Sequence, residues 1–394
     1  MPTPTPPLPA RAVVALLVVL GSVLGLVAPA SAAPTFPADL LDGPGVVVDG
    51  ASPVPPAVTA QSWVVADLDS GDVLAASNAH ARLAPASTLK LLTLLALAPD
   101  LDPGTTHTAT DADAAIDGSK VGMVPGSTYT VPDLLHGLML ASGNDAANAL
   151  ADLSGGMPAA TARMQDVAEE LGATDTVVAD TSGLDADGQV STAFDLAVIG
   201  RAVLEQPALA ELVTTTRYAF PGVGATNGPE RPRFEIANHN RLLFSYEGAL
   251  GLKNGYTQAA RGSFVAGVER DGRRYVVALL AAEGVTWQLA RALLDWAVAG
   301  GGDGTPVGSL DTPQPEAVQA AGGGPDGEAG AVVPPEAVAL GTGVAGGPGW
   351  LVTPGAVVLA IALLLVGLRM RAVRRRRRRR MARRRALASA PTPW

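Results

Sequence analysis

Leu83-Ala84-Pro85-Ala86-Ser87-Thr88-Leu89-Lys90-Leu91-Leu92-Thr93-Leu94-Leu95-Ala96-Leu97-Ala98-Pro99 reads as one buried helix. Pro85 stands just before a run with no helix breaker until Pro99, which sets the start near Ser87 and the stop at Pro99. Leucine or alanine fills nearly every position, and a helix apolar on all sides belongs in a core. One cation interrupts it: Lys90, three residues after Ser87 and on the same helical face. Desolvation lowers the pKa of an ammonium, so Lys90 is expected to hold a neutral amine. Such an amine, one turn from a hydroxyl, can take its proton and leave a nucleophilic serine. Free N–H groups at the helix N-terminus favour an anionic intermediate beside Ser87. The plainer alternative makes Ser87 a helix cap and lets Lys90 reach out to water.

The rest of the chain narrows the choice. Among 394 residues there are three lysines (Lys90, Lys120 and Lys253) and no cysteine, which excludes disulfides, thiolate catalysis and cysteine zinc sites. Twelve of the 28 basic residues lie after Leu368 and one more is Arg11, whereas all 37 acidic residues lie between. That strongly acidic middle argues against a nucleic-acid partner.

Residues 1–32 read as a secretory signal, with Arg11 as its positive flank, Ala12 to Val27 as its apolar core and Ala30-Ser31-Ala32 as its cleavage site. Residues 33–57 read as a tether. Order is expected from Val58, with strands at Trp63–Leu68 and Val73–Ala76 around an Asp69–Asp72 turn. From Pro99 to about Pro221 the pattern is mainly helical. Strands return at Ala249–Gln258, Ser263–Arg270 and Arg273–Leu280, the last two joined by Asp271-Gly272, a two-residue hairpin signal. Thr286 to Val298 is an amphipathic helix. The expected domain, residues 58–300, is therefore α+β: an antiparallel sheet built from both ends of the segment, flanked by helices, with a helical subdomain inserted. Residues 301–349, with 14 Gly and 7 Pro, read as a linker. Trp350 to Leu368 is 19 residues without a charge, long enough to cross a bilayer, and the arginines of 369–394 place that tail in the cytoplasm and the middle portion outside.

Two further segments carry candidate chemistry. Ser142-Gly143-Asn144-Asp145 is a short connector between helices, on which Ser142 and Asn144 could face one cleft. Lys253-Asn254-Gly255-Tyr256-Thr257 lies on a strand, and a strand glycine marks a place where another backbone or a ligand comes close. If that strand is an edge, an extended peptide can pair with it. In order, Ser87-x-x-Lys90, Ser142-x-Asn144 and Lys253-Asn254-Gly255 resemble the S-x-x-K, S-x-N and K-T-G elements of the penicillin-recognising serine enzymes, of β-lactamase/DD-peptidase-like fold. Leu171-Gly172-Ala173-Thr174-Asp175-Thr176 and Asn238-His239-Asn240-Arg241-Leu242-Leu243 resemble the low-molecular-mass D-alanyl-D-alanine carboxypeptidase branch in particular.

The resemblance implies an enzyme that removes the terminal D-alanine of peptidoglycan stem peptides and is acylated by β-lactam antibiotics. Ser87 would be the nucleophile, Lys90 its base and Ser142 the proton relay to the leaving amine. Asn144, Lys253, Asn254, Gly255 and Thr257 would bind substrate, and the backbone N–H groups of Ser87 and Tyr256 would hold the oxyanion. No metal or other cofactor is implied. Two departures are visible: Asn254 stands where the family has Thr or Ser, and a linker and membrane span replace the usual β-rich domain and amphipathic anchor. The competing readings are a β-lactamase, for which no Glu-x-x-x-Asn element stands between Asn144 and Lys253, and a non-catalytic wall-binding protein. Endopeptidase action on crosslinked peptides stays open beside the carboxypeptidase reading.

Overall fold

Val and Ala run without a polar break through Trp63–Ala66, the composition of a strand covered on both faces. In the computed structural model, which describes residues 40–41, 43–223 and 231–311, that strand is central. Strands β1 (Val46–Val48), β2 (Ser62–Asp67) and β3 (Asp72–Ser77) come first. A 3-10 turn at Ala86–Leu89 leads into α1 (Lys90–Leu97). Two short strands, β4 (Thr106–Thr108) and β5 (Thr128–Thr130), pair with α2 (Asp111–Ala115) between them. Then come α3 (Val131–Leu140), α4 (Asn144–Leu153), α5 (Met157–Glu170), α6 (Ala193–Glu205) and α7 (Pro207–Thr214). A ribbon of β6 (Arg217–Pro221) and β7 (Arg233–Ala237) precedes α8 (Leu242–Ser245). Last are β8 (Ala249–Thr257), β9 (Arg261–Arg270), β10 (Arg273–Ala282), α9 (Thr286–Val298) and β11 (Gly308–Ser309).

One antiparallel sheet runs β1-β3-β2-β10-β9-β8, with β11 also on β3, so strands from both ends of the domain share it. Alternation divides its side chains. Val64, Ala66, Val276 and Ala278 join the core shared with α1, whereas Trp63, Val65, Val277 and Leu279 join the core against α9. The helices between β3 and β8 form the inserted part. Thr130 and Asp133 make a reciprocal capping box at the start of α3, and Asp271-Gly272 turns β9 into β10 with φ positive at both residues.

The structure corrects four expectations. The helix expected from Ser87 to Pro99 is divided: a 3-10 turn at Ala86–Leu89, which opens on a left-handed Ala86 (φ 49°), precedes α1, and Pro99 sits in a closing 3-10 turn. The mainly helical stretch also holds the β4–β5 ribbon and ends in β6, which pairs with β7 beyond it; three-residue strands such as Thr106–Thr108 carry too little periodicity to read. Order does not wait for Val58: β1 extends the sheet, and the Trp296 indole donates to the Pro53 carbonyl at 2.9 Å. Nor does the linker begin at residue 301. Val307 and Leu310 enter the main core, and backbone bonds from both return to β3 and its turn. The proposed signal, membrane span, arginine tail and most of the linker lie outside the described residues.

Because Leu310 is 3 % exposed, Leu310→Ala should cost about 2–4 kcal/mol in urea unfolding. A linker residue would show no change.

Candidate active site

The site is built on backbone that no regular helix supplies. Ala86 is left-handed, which lets the 3-10 turn present Ser87 ahead of α1. The Pro85 carbonyl accepts from Thr88 Oγ1 at 2.6 Å and from Ser263 Oγ at 2.7 Å, fixing the turn to β9. Every residue of α1 is buried, Lys90 included. Its Nζ lies 3.2 Å from Ser87 Oγ, 2.7 Å from Asn144 Oδ1 and within hydrogen-bond distance of the Ser182 carbonyl.

Burial lowers the Lys90 pKa to about 7, against the opposing pull of Asp180 and Asp145. In the neutral amine, the two carbonyl oxygens take its two N–H groups, because neither can donate. The lone pair is left for the Ser87 hydroxyl. The Asn144 amide is itself fixed: its Nδ2 donates to the Asp117 carbonyl at 2.7 Å.

Asn144 stands at the start of α4, after the Ser142-Gly143 connector, where Ser142 is buried and left-handed at φ 58°. The Asp145 carboxylate accepts from the backbone N–H of Val121, Gly122 and Met123 at 2.9–3.0 Å and clamps a neighbouring loop to this connector. A third segment, Asp180-Thr181-Ser182-Gly183, is knotted by Asp180, which accepts from Ser182 N, Gly183 N and Ser182 Oγ. Gly183 has φ 79°, and a Cβ there would fall 1.9 Å from the Ala86 carbonyl, so backbone packs on backbone beside the nucleophile.

β8 closes the site from the sheet. It is an edge strand, and a Cβ on Gly255 would fall 2.7 Å from the Ser87 nitrogen and 2.4 Å from Ser263 Oγ. The Ser87 nitrogen and the Gly255–Tyr256 backbone therefore abut, the arrangement an oxyanion site between those N–H groups needs. Lys253 is buried, and its Nζ donates to the Asn254 carbonyl at 2.7 Å. Burial holds its pKa well below the ordinary value, and the Lys90 charge lowers it further. His239 borders Lys253. Desolvation lowers its imidazole pKa, Lys253 adds to the effect, and its backbone N–H donates to the Leu140 carbonyl.

Ser87, Lys90, Asn144, Lys253 and Gly255 thus gather around one point, with Asn254 and Tyr256 on the same strand as Lys253 and Ser142 two residues before Asn144 on the connector. Two of the expected substrate-binding side chains have partners within the protein. Asn144 is 2 % exposed with both ends of its amide engaged inside the protein, where it orients Lys90. Thr257 donates its hydroxyl to Asp185 at 2.6 Å and accepts from Ala260 N, which ties β8 to the Asp180 loop. The functional part of that loop has no signature in the sequence. Asp-x-Ser-Gly signals a turn, but nothing local reports that the Ser182 carbonyl meets an amine 92 residues earlier.

A serine on a tight turn with a desolvated amine as its base, closed by an edge strand, defines a serine hydrolase working through acyl transfer. The sequence profile of the D-alanyl-D-alanine carboxypeptidase family matches residues 49–284, and the chain belongs to that family: it is a serine D-Ala-D-Ala carboxypeptidase. It is 43 % identical over 257 residues to a D-alanyl-D-alanine carboxypeptidase of Mycobacterium tuberculosis, covering 64 % of this chain and 86 % of that protein. A D-alanyl-D-alanine carboxypeptidase crystal structure from Mycobacterium tuberculosis H37Rv superposes with TM-score 0.61 at 42 % identity, over 64 % of this chain and 96 % of that one. The Streptomyces K15 DD-transpeptidase superposes with TM-score 0.60 at 27 % identity, over 63 % of this chain and all of the other (100 %).

Because the base must be unprotonated, kcat/KM for acylation should rise with pH through about 7 and level off above it. Asn144→Asp puts an anion against Lys90 and should move that limb upward by about one to three pH units. Gly255→Ala should lower kcat/KM about 100-fold, since the Ser87 turn and β8 can no longer touch. A pH–rate series on the three proteins reads both effects.

Proposed function

We propose that the protein is anchored in the cell membrane, with its catalytic domain outside, and trims the terminal D-alanine from peptidoglycan stem peptides. The observation that carries the chemistry is the Lys90 amine, whose other two contacts are pure acceptors. Ser87 Oγ attacks the carbonyl between the two D-alanines and its proton passes to Lys90 Nζ. The N–H groups of Ser87 and Tyr256 hold the oxyanion. Ser142 relays a proton to the departing amine, the C–N bond breaks, and D-alanine leaves. Lys90, having passed its first proton on through Ser142, takes one from water, which attacks the ester, and returns it to Ser87 Oγ as the ester bond breaks.

A β-lactam offers the same serine a strained amide whose leaving group stays attached, so the protein should be penicillin-sensitive and hold a long-lived adduct. Asn254 supplies an amide donor where the family has a hydroxyl. Anchoring rests on the 19 uncharged residues of 350–368 and the arginines after them, and export on the signal-like residues 1–32.

Purified protein is expected to release free D-alanine from an acyl-D-Ala-D-Ala peptide, and Ser87→Ala to release none. Equal release by both removes Ser87 from the mechanism. Fluorescent penicillin should label the parent and not Ser87→Ala; rapid turnover of the drug with no retained label indicates a β-lactamase. Deleting residues 350–394 should move the enzyme from the membrane fraction to the medium.

A further inference from the structure

Three side chains that the acyl-transfer chemistry does not use converge in the inserted part of the fold. His107 comes from β4, Asp113 from α2 and Asp152 from α4, and one ligand atom from each lies within 4.8 Å of the other two. His107 is 8 % exposed and Asp113 1 %, whereas Asp152 opens the group to water. An imidazole nitrogen with two carboxylate oxygens is a donor set for a first-row divalent cation, and the exposed third ligand leaves a way in.

Hydrogen bonding leaves the group incomplete. Every donor that reaches the Asp113 carboxylate meets the same oxygen: the Thr110 N–H at 2.8 Å, Thr110 Oγ1 at 2.9 Å and His107 Nε2 at 2.8 Å all go to Oδ2. Among the described residues none donates to Oδ1, although the side chain is almost wholly buried. A buried carboxylate oxygen ordinarily has a partner, and one without a protein donor calls for water or an ion.

Charge points the same way. The Asp152 carboxylate makes no hydrogen bond or ion pair among the described residues, yet it stands within that 4.8 Å of a second carboxylate. Lys120, the lysine nearest in sequence, donates to the Ala114 carbonyl at 2.8 Å and pairs with neither aspartate. Even a protonated His107 would offset one of the two negative charges. A divalent cation offsets both and fills the coordination that Oδ1 lacks.

We infer that His107, Asp113 and Asp152 form a binding site for one divalent cation of the Zn²⁺ or Mn²⁺ type, with water in the remaining positions. Its place in the fold gives the ion a structural role. Asp152 lies about two turns along α4 from Asn144. Asp117, whose carbonyl fixes the Asn144 amide, follows closely on α2. The cation therefore ties α2 to α4 across the junction that the Asn144–Asp117 hydrogen bond also spans.

The test titrates untagged full-length protein, stripped with EDTA and kept in detergent, with ZnCl₂ alone. One equivalent should bind with a Kd of about 10 µM or tighter, and the thermal midpoint should rise by about 5 °C at saturation. Co²⁺ in place of zinc should give visible absorption from a protein-bound ion. Asp152→Asn, at an exposed position, should keep the metal-free midpoint and weaken zinc binding about tenfold or more, which separates a lost ligand from misfolding. His107→Gln should abolish the cobalt spectrum. Absence of saturable zinc binding by the parent overturns the inference. Binding that persists unchanged in both variants places the ion elsewhere and overturns it too.

Discussion

Lys90 sits where water does not reach, and two of its three contacts can only accept a hydrogen bond. That single constraint orders much of the molecule. Burial supplies the free energy that disfavours the ammonium, and the α1 helix supplies the burial through its leucines. The acceptors come from elsewhere, Asn144 at the head of α4 and the Ser182 carbonyl from the Asp180 knot. Each needs its own scaffold: Asp117 fixes the Asn144 amide, and Gln189 donates to both Asp180 and the Leu184 carbonyl. A neutral amine then has one direction left, toward Ser87. The base is selected by what its neighbours are unable to do.

The same arrangement explains why unusual backbone collects here. Ala86, Ser142, Leu252 and Arg261 all have positive φ, and each adjoins or belongs to a segment of the site. A regular helix or strand cannot turn a side chain into a pocket that three separate chain segments share. Left-handed residues make those corners at a cost of order 1–3 kcal/mol each, which the close-packed core on both sheet faces offsets. Glycine takes over where even a methyl group would collide. Gly183 meets the Ala86 carbonyl and Gly255 meets the Ser87 nitrogen, both as backbone-on-backbone contacts.

Much of this was legible in the residues. An all-apolar helix with one lysine announces a buried amine, because few sequences tolerate that placement without a use for it. Asp271-Gly272 announced its hairpin, and the Thr286–Val298 helix fell on the expected residues. What escaped was of two kinds. The short ribbons β4–β5 and β6–β7 carry no period long enough to distinguish strand from loop. The glycine-rich start of the linker looked unable to bury a core, yet Val307 and Leu310 fill a site that β3 had prepared for them. Composition describes what a segment can do alone; it does not reveal what a neighbouring surface lacks.

The sequence by itself determined the buried helix with its amine, the nucleophile three residues before that amine, and the three motif segments in order, because these depend on spacing and on local burial. Tertiary structure decided which partner each polar group meets. Asn144 turned inward to Lys90, and Thr257 was drawn to Asp185. A hydrogen bond forms over about 3 Å, and chain positions nearly a hundred apart come that close only when the sheet and its inserted helices have packed.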